Sequence, residues 1–260
     1  MQIIPPPVRW GIPHAVIVVA LIPVALGAGY LLLFAGIGDG GDAFTFVLGM
    51  AGYAAVVVAL IVIARRLGLG RLRTDYGFGI EPVDLAIGLG IAVVAKLGTL
   101  AVGLIVVVVT GTPPRSGNLV LGDDPLWLLL TGGLLATFVG PVVEELMFRG
   151  ILLRAIRYRV LRGPRSAPLP QPAPRSVQTR ASALAILVSS AAFAVLHLSQ
   201  APGDLALFLV LGLGTFLVGV LHAVITIVTG RLGAAMVSHV LFNGSSVLLQ
   251  VLLAGSPPAA

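Results

Sequence analysis

The chain has 260 residues, of which 58% are hydrophobic and only 10% are charged, and its mean hydropathy is +1.08. Soluble domains carry about a quarter charged residues, so this composition excludes an ordinary soluble fold and predicts an all-α protein that crosses a membrane several times. The absence of cysteine excludes a disulfide framework, a cysteine nucleophile and a cysteine-ligated zinc. The net charge of +6 comes mainly from arginines that flank apolar stretches, so it indicates orientation in a lipid bilayer and not binding to nucleic acid.

Seven apolar stretches, each near the length needed to cross a bilayer, follow one another along the chain. They cover roughly residues 13–36, 43–64, 83–110, 125–153, 181–198, 205–229 and 232–254. The first is too long for a signal peptide and lacks a clear small-residue cleavage site, so we expect it to be retained as a span. We expect 1–124 to hold the first three spans, 125–254 a core of four, and 255–260 a tail.

Basic and acidic residues lie in alternate loops. The loop at 65–82 holds four arginines, and the loop at 154–180 holds seven arginines and five prolines, which predict an extended or disordered segment. The opposite loops hold five aspartates and a single base, Arg115. Because loops rich in Lys and Arg stay in the cytoplasm, this asymmetry predicts a cytoplasmic amino terminus. The compact chain is typical of a bacterial protein, so we expect it in the plasma membrane of a bacterial cell.

The fourth predicted span contains three charged residues, Glu144, Glu145 and Arg149. An ionised side chain at membrane depth costs at least ~2.5 kcal/mol, so such residues usually face a partner or a wet cavity. Glu145 and Arg149 are four apart and share a helix face, whereas Glu144 lies about 100° away and needs another partner. Pro141 lacks a backbone donor, so we expect the helix to open just before the acids.

Two later spans carry polar pairs at helical spacing. His197 ends the fifth span four residues after Phe193, and His239 precedes Asn243 by four in the seventh. Residues four apart lie on one helix face, so the two side chains of each pair can contact the same group. Taken singly, a membrane histidine more often makes a helix contact than it catalyses a reaction.

Two further polar residues in the spans, Lys96 and His222, have no companion at helical spacing. We expect Lys96 to snorkel or to be paired locally, and His222 to pack between helices.

The three motifs, in order and in separate spans, resemble those of the CPBP family. This family comprises the CAAX prenyl protease and bacteriocin-processing (Abi) intramembrane endopeptidases. The resemblance covers about residues 125–250 and is supported by Phe148-Arg149-Gly150, Phe216-x-x-Gly219 and Thr229-Gly230, with a weaker Asp75-Tyr76-Gly77-Phe78 further upstream. It implies a protease that cleaves a membrane-embedded or lipid-modified peptide. It also implies a role for each residue. Glu144 and His197 would activate the attacking water, and His239 and Asn243 would stabilise the oxyanion. Glu145 and Arg149 would support these groups.

The residue types themselves allow the same chemistry. Hydrolysis of a peptide bond needs an activated water, a stabilised oxyanion and a proton for the leaving amine. A glutamate in a low-dielectric site suits a general base, and His197 could carry the proton to the amine. His239 and Asn243 could donate to the oxyanion, each donor contributing about 3 kcal/mol in well-studied hydrolases.

A metal ion is an open alternative at this site. His197, His239 and either Glu144 or Glu145 would make the two-histidine, one-carboxylate set of a catalytic zinc. The His-Glu-x-x-His signature is missing, and each potential ligand lies in a different span, so spacing does not certify a zinc site. The residues favour catalysis by glutamate without a cofactor, with zinc as the alternative.

Other functions are weaker. Gly36-Ile37-Gly38-Asp39 fits an aspartyl protease motif but has no Tyr-Asp partner in any span, and Ser245 lies on the same helix as His239, which does not suit a serine protease. A proton-coupled transporter could use the Glu and His residues as a relay, although no internal repeat is visible. A non-catalytic bacteriocin-immunity protein is a further alternative.

The depths estimated for the candidate site residues below the membrane surface do not all agree. A rise of ~1.5 Å per residue places Glu144 about 15 Å from Arg154 and His239 about 12 Å from Arg231, but His197 about 25 Å from Arg180. We therefore expect the fourth and fifth helices to project beyond the membrane, since the arginine-rich segment 154–165 is amphipathic.

Overall fold

The computed structural model describes residues 6–113, 124–162, 173–201 and 203–254, and these residues are helical almost throughout. The helices are α1 (Ile12–Phe34), α2 (Asp42–Leu67), α3 (Leu72–Tyr76), α4 (Pro82–Thr110), α5 (Pro125–Arg162), α6 (Arg175–His197), α7 (Leu205–Thr229) and α8 (Gly233–Ala254). Seven helices of the described ranges, all except the short α3, are long and apolar enough to cross a membrane. The predicted all-helical, seven-span fold is confirmed.

The bounds predicted for the loop at 154–180 are wrong at both ends. Helix α5 continues to Arg162 and α6 begins at Arg175, so only 163–174 separates them, and 163–172 lies outside the described residues. The extension of α5 is helical because one of its faces, with Leu153, Ile156 and Tyr158, is buried. The lengths of α5 and α6 agree with the expectation that these two helices project beyond the membrane. The depth of His197 in the membrane stays a prediction.

Close helix packing brings α4 into the core with α7 and α8. Gly88 contacts Val237 of α8, where an added Cβ would lie 2.6 Å from the valine side chain. Gly214 of α7 contacts Thr99 of α4 in the same way, with 2.7 Å to the threonine methyl. Helices inside membranes associate through such small residues, since they let the backbones approach. The third span therefore packs directly on the region that carries the motifs.

The segment that joins α2 to α4 is held by a buried aspartate. Asp75 is fully buried and accepts hydrogen bonds from Trp10 Nε1 at 2.9 Å and from the backbone N–H of Leu69 at 3.0 Å. Burial raises the pKa of Tyr76, whose hydroxyl donates to the carbonyl of Leu60 at 3.1 Å. This network ties the amino-terminal segment and α3 to α2, which fixes the helix ends on this side of the protein.

The expected orientation can be tested by cysteine labelling. Ser176, near the start of α6, and Thr112, just after α4, are both exposed and lie at opposite ends of the spans. We expect Ser176→Cys to react with an impermeant thiol reagent only after the cells are opened, because the arginine-rich ends should face the cytoplasm. Thr112→Cys, the matched control, should react in intact cells. The chain has no native cysteine to give background, and the reverse pattern would contradict the orientation.

Candidate active site

The helix that carries the two glutamates changes its winding around them. Leu128–Val139 and Leu146–Leu152 are π-helical, and the α-helical turn Gly140–Glu145 lies between them. The N–H of Gly140 bonds the carbonyl of Leu135, five residues back. π-helical turns inside α-helices occur frequently at functional sites.

Pro141 leaves one carbonyl of this helix without its own donor, and Asn243 replaces that donor. In the π register the next N–H would bond the carbonyl of Ala136, but proline has no N–H. Asn243 Nδ2 donates to this carbonyl at 2.9 Å from helix α8. The expected opening of the helix before the acids is therefore wrong, because α5 remains continuous. One amide hydrogen of Asn243 is committed to the backbone, and the other has no acceptor among the described residues.

Glu145 is the centre of a buried polar cluster. Its Oε1 accepts from Arg149 Nη1 at 3.3 Å, as the spacing of four residues predicted, and from Nδ1 of both His222 and His239 at 2.9 Å. The side chains of Glu145, Arg149 and His222 are fully buried, and that of His239 is 4% exposed. Side chains from three helices, α5, α7 and α8, thus meet at one carboxylate oxygen, which fixes the two imidazole rings.

His222 is a member of this cluster that the sequence did not identify. The expectation that it only packs between helices is wrong, because it bonds Glu145 through Nδ1 and Ser238 through Nε2 at 3.0 Å. An ion-paired carboxylate can only accept, so His222 Nδ1 carries the proton and Nε2 accepts from the serine hydroxyl. The polar residue at helical spacing from His222 is Thr226 on its own helix, and this spacing does not indicate a contact with Glu145.

Removing His222 tests its place in the cluster. We expect His222→Ala to lower the free energy of unfolding by about 1–3 kcal/mol, since Glu145 and Ser238 would each lose a buried partner. His14→Ala is the matched control, because in the described part of the chain His14 accepts one hydrogen bond, from the backbone N–H of Gly11 near the start of α1. Thermal unfolding in detergent measures both variants. Equal melting temperatures for the two would contradict the assignment.

Glu144 lies beside this cluster but has a different environment. Its Oε1 accepts from the hydroxyl of Tyr53 at 2.8 Å, and its Oε2 lies 3.8 Å from Nε2 of His239. Its side chain is 13% exposed, whereas that of Glu145 is fully buried. Of the two adjacent acids, Glu144 is therefore the one that a water molecule or a substrate can reach.

Phe193 connects the remaining predicted residues. Its ring contacts His197 with centroids 4.5 Å apart and His239 with centroids 5.7 Å apart, and the guanidinium of Arg149 lies 4.4 Å from its centroid. His197 Nδ1 donates to the carbonyl of Phe193 at 2.8 Å, which leaves Nε2 as the free nitrogen of a half-buried ring. Within the described residues, the bonds of His197 and Glu144 go to different partners, so a shared water stays a prediction.

Lys96 is paired locally, which was one of the two arrangements expected for it. Its Nζ lies 2.5 Å from the hydroxyl of Ser246 and 4.1 Å from the centroid of the Phe242 ring, both on α8.

A comparison with known protein families matches the part of the chain that contains this cluster. Residues 125–245 match the family described as "Type II CAAX prenyl endopeptidase Rce1-like". This part of the chain is a CPBP family domain. No curated protein and no solved structure matches the chain. The CPBP domain contains every residue of the three motifs and the newly found His222 and Ser238, whereas Tyr53 lies outside it.

The CPBP domain offers one group of three potential metal ligands among its described residues. It consists of Glu145, His222 and His239, whose ligand atoms lie within 4.8 Å of one another, and not of the predicted His197, His239 and Glu144. Both imidazoles and the Arg149 guanidinium converge on the same carboxylate oxygen. A catalytic zinc needs an open coordination position, and these side chains are at most 4% exposed. The three residues fit a hydrogen-bonded carboxylate and do not fit a catalytic zinc site.

Proposed function

We propose that this protein is an intramembrane endopeptidase in which Glu144 activates water without a metal ion. The observation that carries this proposal is the contrast between the two adjacent acids. Glu145 is buried with three donors on one oxygen, whereas Glu144 is partly exposed beside the same histidine. A general base must reach its proton, and Glu144 is the acid that can do so.

The gap between Glu144 and His239 suits a water molecule. The distance of 3.8 Å from Oε2 to Nε2 is too long for a direct hydrogen bond. A water between the two groups would satisfy both. In the proposed reaction Glu144 takes a proton from this water as its oxygen attacks the peptide carbonyl. The proton then moves from Glu144 to Nε2 of His197 and on to the amine nitrogen, which leaves as the carbon–nitrogen bond breaks.

Two donors are available for the oxyanion that forms. The second amide hydrogen of Asn243 is one of them, since the first is committed to Ala136. His239 already donates from Nδ1 to Glu145, so it can donate from Nε2 only as an imidazolium. Glu145 supplies a counter-charge for that cation before and after Glu144 has taken its proton, and the oxyanion supplies another as it forms. This gives Glu145 a role in support of the oxyanion site.

The substrate class follows from the family and the bilayer. Within the described residues, seven helices are long and apolar enough to cross a membrane, and residues 125–245 match a family described as a type II CAAX prenyl endopeptidase. We propose a membrane-embedded or lipid-modified peptide as the substrate. A proton-coupled transporter is the second candidate, because the same buried charges could form a relay.

The test is hydrolysis of a prenylated CAAX-type peptide by the purified protein in proteoliposomes, with mass spectrometry of the released fragment. We expect cleavage by the wild type, no stoichiometric zinc by elemental analysis, and activity that survives a strong chelator. Glu81→Gln, which changes a half-exposed glutamate away from the site, is the control and should cleave normally. Stoichiometric zinc with loss of activity on chelation would overturn the metal-free mechanism. Proton flux without cleavage would favour the transporter.

A further inference from the structure

We propose that Tyr53 positions Glu144 for catalysis, so that the active site includes a residue from the amino-terminal helices, outside residues 125–245. This inference rests on the proposed function, in which Glu144 is the base. Tyr53 lies near the middle of α2, and its hydroxyl donates to Glu144 Oε1 across a sequence separation of 91 residues.

The hydrogen bond decides which carboxylate oxygen faces the reaction. At 2.8 Å, a hydroxyl that donates to a carboxylate makes a charge-assisted bond, which is stronger than a neutral one. With Oε1 held by Tyr53, Oε2 is the oxygen that faces His239 Nε2. A glutamate side chain has several rotatable bonds. Because the hydrogen bond fixes its carboxylate, the side chain does not have to find the reactive rotamer before each turnover.

The same bond keeps Glu144 away from a competing partner. Arg149 is near enough to interact electrostatically with Glu144, and its Nε and Nη2 have no hydrogen-bond partner in the described ranges. A Glu144 released from Tyr53 could turn towards this guanidinium. Its charge would then be neutralised by an ion pair and withdrawn from the water.

Gly140 provides the space for the tyrosine hydroxyl. A Cβ added at Gly140 would lie 3.0 Å from Tyr53 Oη and 3.1 Å from the carbonyl oxygen of Leu135. A side chain at this position would press on the hydroxyl from the helix that carries Glu144. Gly140→Ala should therefore disturb the same contact from the opposite side.

The experiment compares the full chain with Tyr53→Phe in proteoliposomes, using the peptide cleavage assay. We expect Tyr53→Phe to lower kcat by about tenfold to a hundredfold, the size of effect that a small misplacement of a catalytic group produces, with KM within about twofold of the wild type. Tyr30→Phe is the matched control, since Tyr30 is 74% exposed on α1, and it should leave kcat unchanged. Tyr30→Phe should keep the melting temperature of the wild type, and Tyr53→Phe should still unfold in one cooperative transition at a temperature lowered by the loss of one hydrogen bond.

A second measurement separates positioning from general damage. In a background of Glu144→Gln, the added Tyr53→Phe change should lower the residual rate no further, because the group that Tyr53 positions is already lost. Gly140→Ala should lower kcat without raising KM. An unchanged kcat in Tyr53→Phe, or an equal further loss in the Glu144→Gln background, would overturn the proposal. A wild type that cleaves no peptide would instead overturn the proposed function.

Discussion

Replacing Glu144 with glutamine is expected to lower kcat for peptide hydrolysis by about 10²–10⁴-fold, the usual contribution of a general base. Glutamine keeps the shape of the side chain, and its carbonyl oxygen can still accept from Tyr53. It cannot take a proton from water, so the loss should fall on kcat and leave KM nearly unchanged. Steady-state kinetics on the peptide measure both values.

His197 provides the companion variant. If Glu144 and His197 act on one proton-transfer step, the double change Glu144→Gln with His197→Ala should be scarcely slower than either single change. His239→Ala and Asn243→Ala should add a separate loss, because they act on the oxyanion. Wild-type cleavage by Glu144→Gln would defeat the assignment of the base, and full additivity with His197→Ala would separate the two residues.

Replacing Arg149 with methionine is expected to lower the free energy of unfolding by about 3–5 kcal/mol, as well as to abolish activity. The guanidinium is fully buried, lies 3.3 Å from Glu145 Oε1 and stacks over the ring of Phe193. Its loss leaves the fully buried carboxylate of Glu145 with only the two imidazoles for support. Thermal or denaturant unfolding in detergent measures the effect.

Lys96→Met is the matched control for Arg149→Met. Lys96 is also a basic residue in the middle of a span, but the side chains that it contacts, Ser246 and the Phe242 ring, are uncharged. No carboxylate of the described residues forms an ion pair with Lys96, so its removal should change stability far less. Equal loss of stability in the two variants would contradict the view that the Glu145–Arg149 pair holds the site together.

The sequence by itself determined what lies along single helices. Seven apolar stretches of sufficient length predicted the seven spans, because a bilayer admits only segments of that length and polarity. The spacing of four residues placed Glu145 against Arg149 and His197 against Phe193, since such residues are neighbours on one helix face. The order of the motifs identified the family that the comparison found.

Only the tertiary structure decided how the helices share their polar groups. His222 reaches Glu145 across 77 residues, and Tyr53 reaches Glu144 across 91, which no local spacing encodes. The bond from Asn243 to Ala136 also depends on the π register next to Pro141. Helical periodicity specifies which side of a helix is polar, but the partner is fixed by how close neighbouring backbones pack. That packing gave one glutamate three donors and left the other within reach of water.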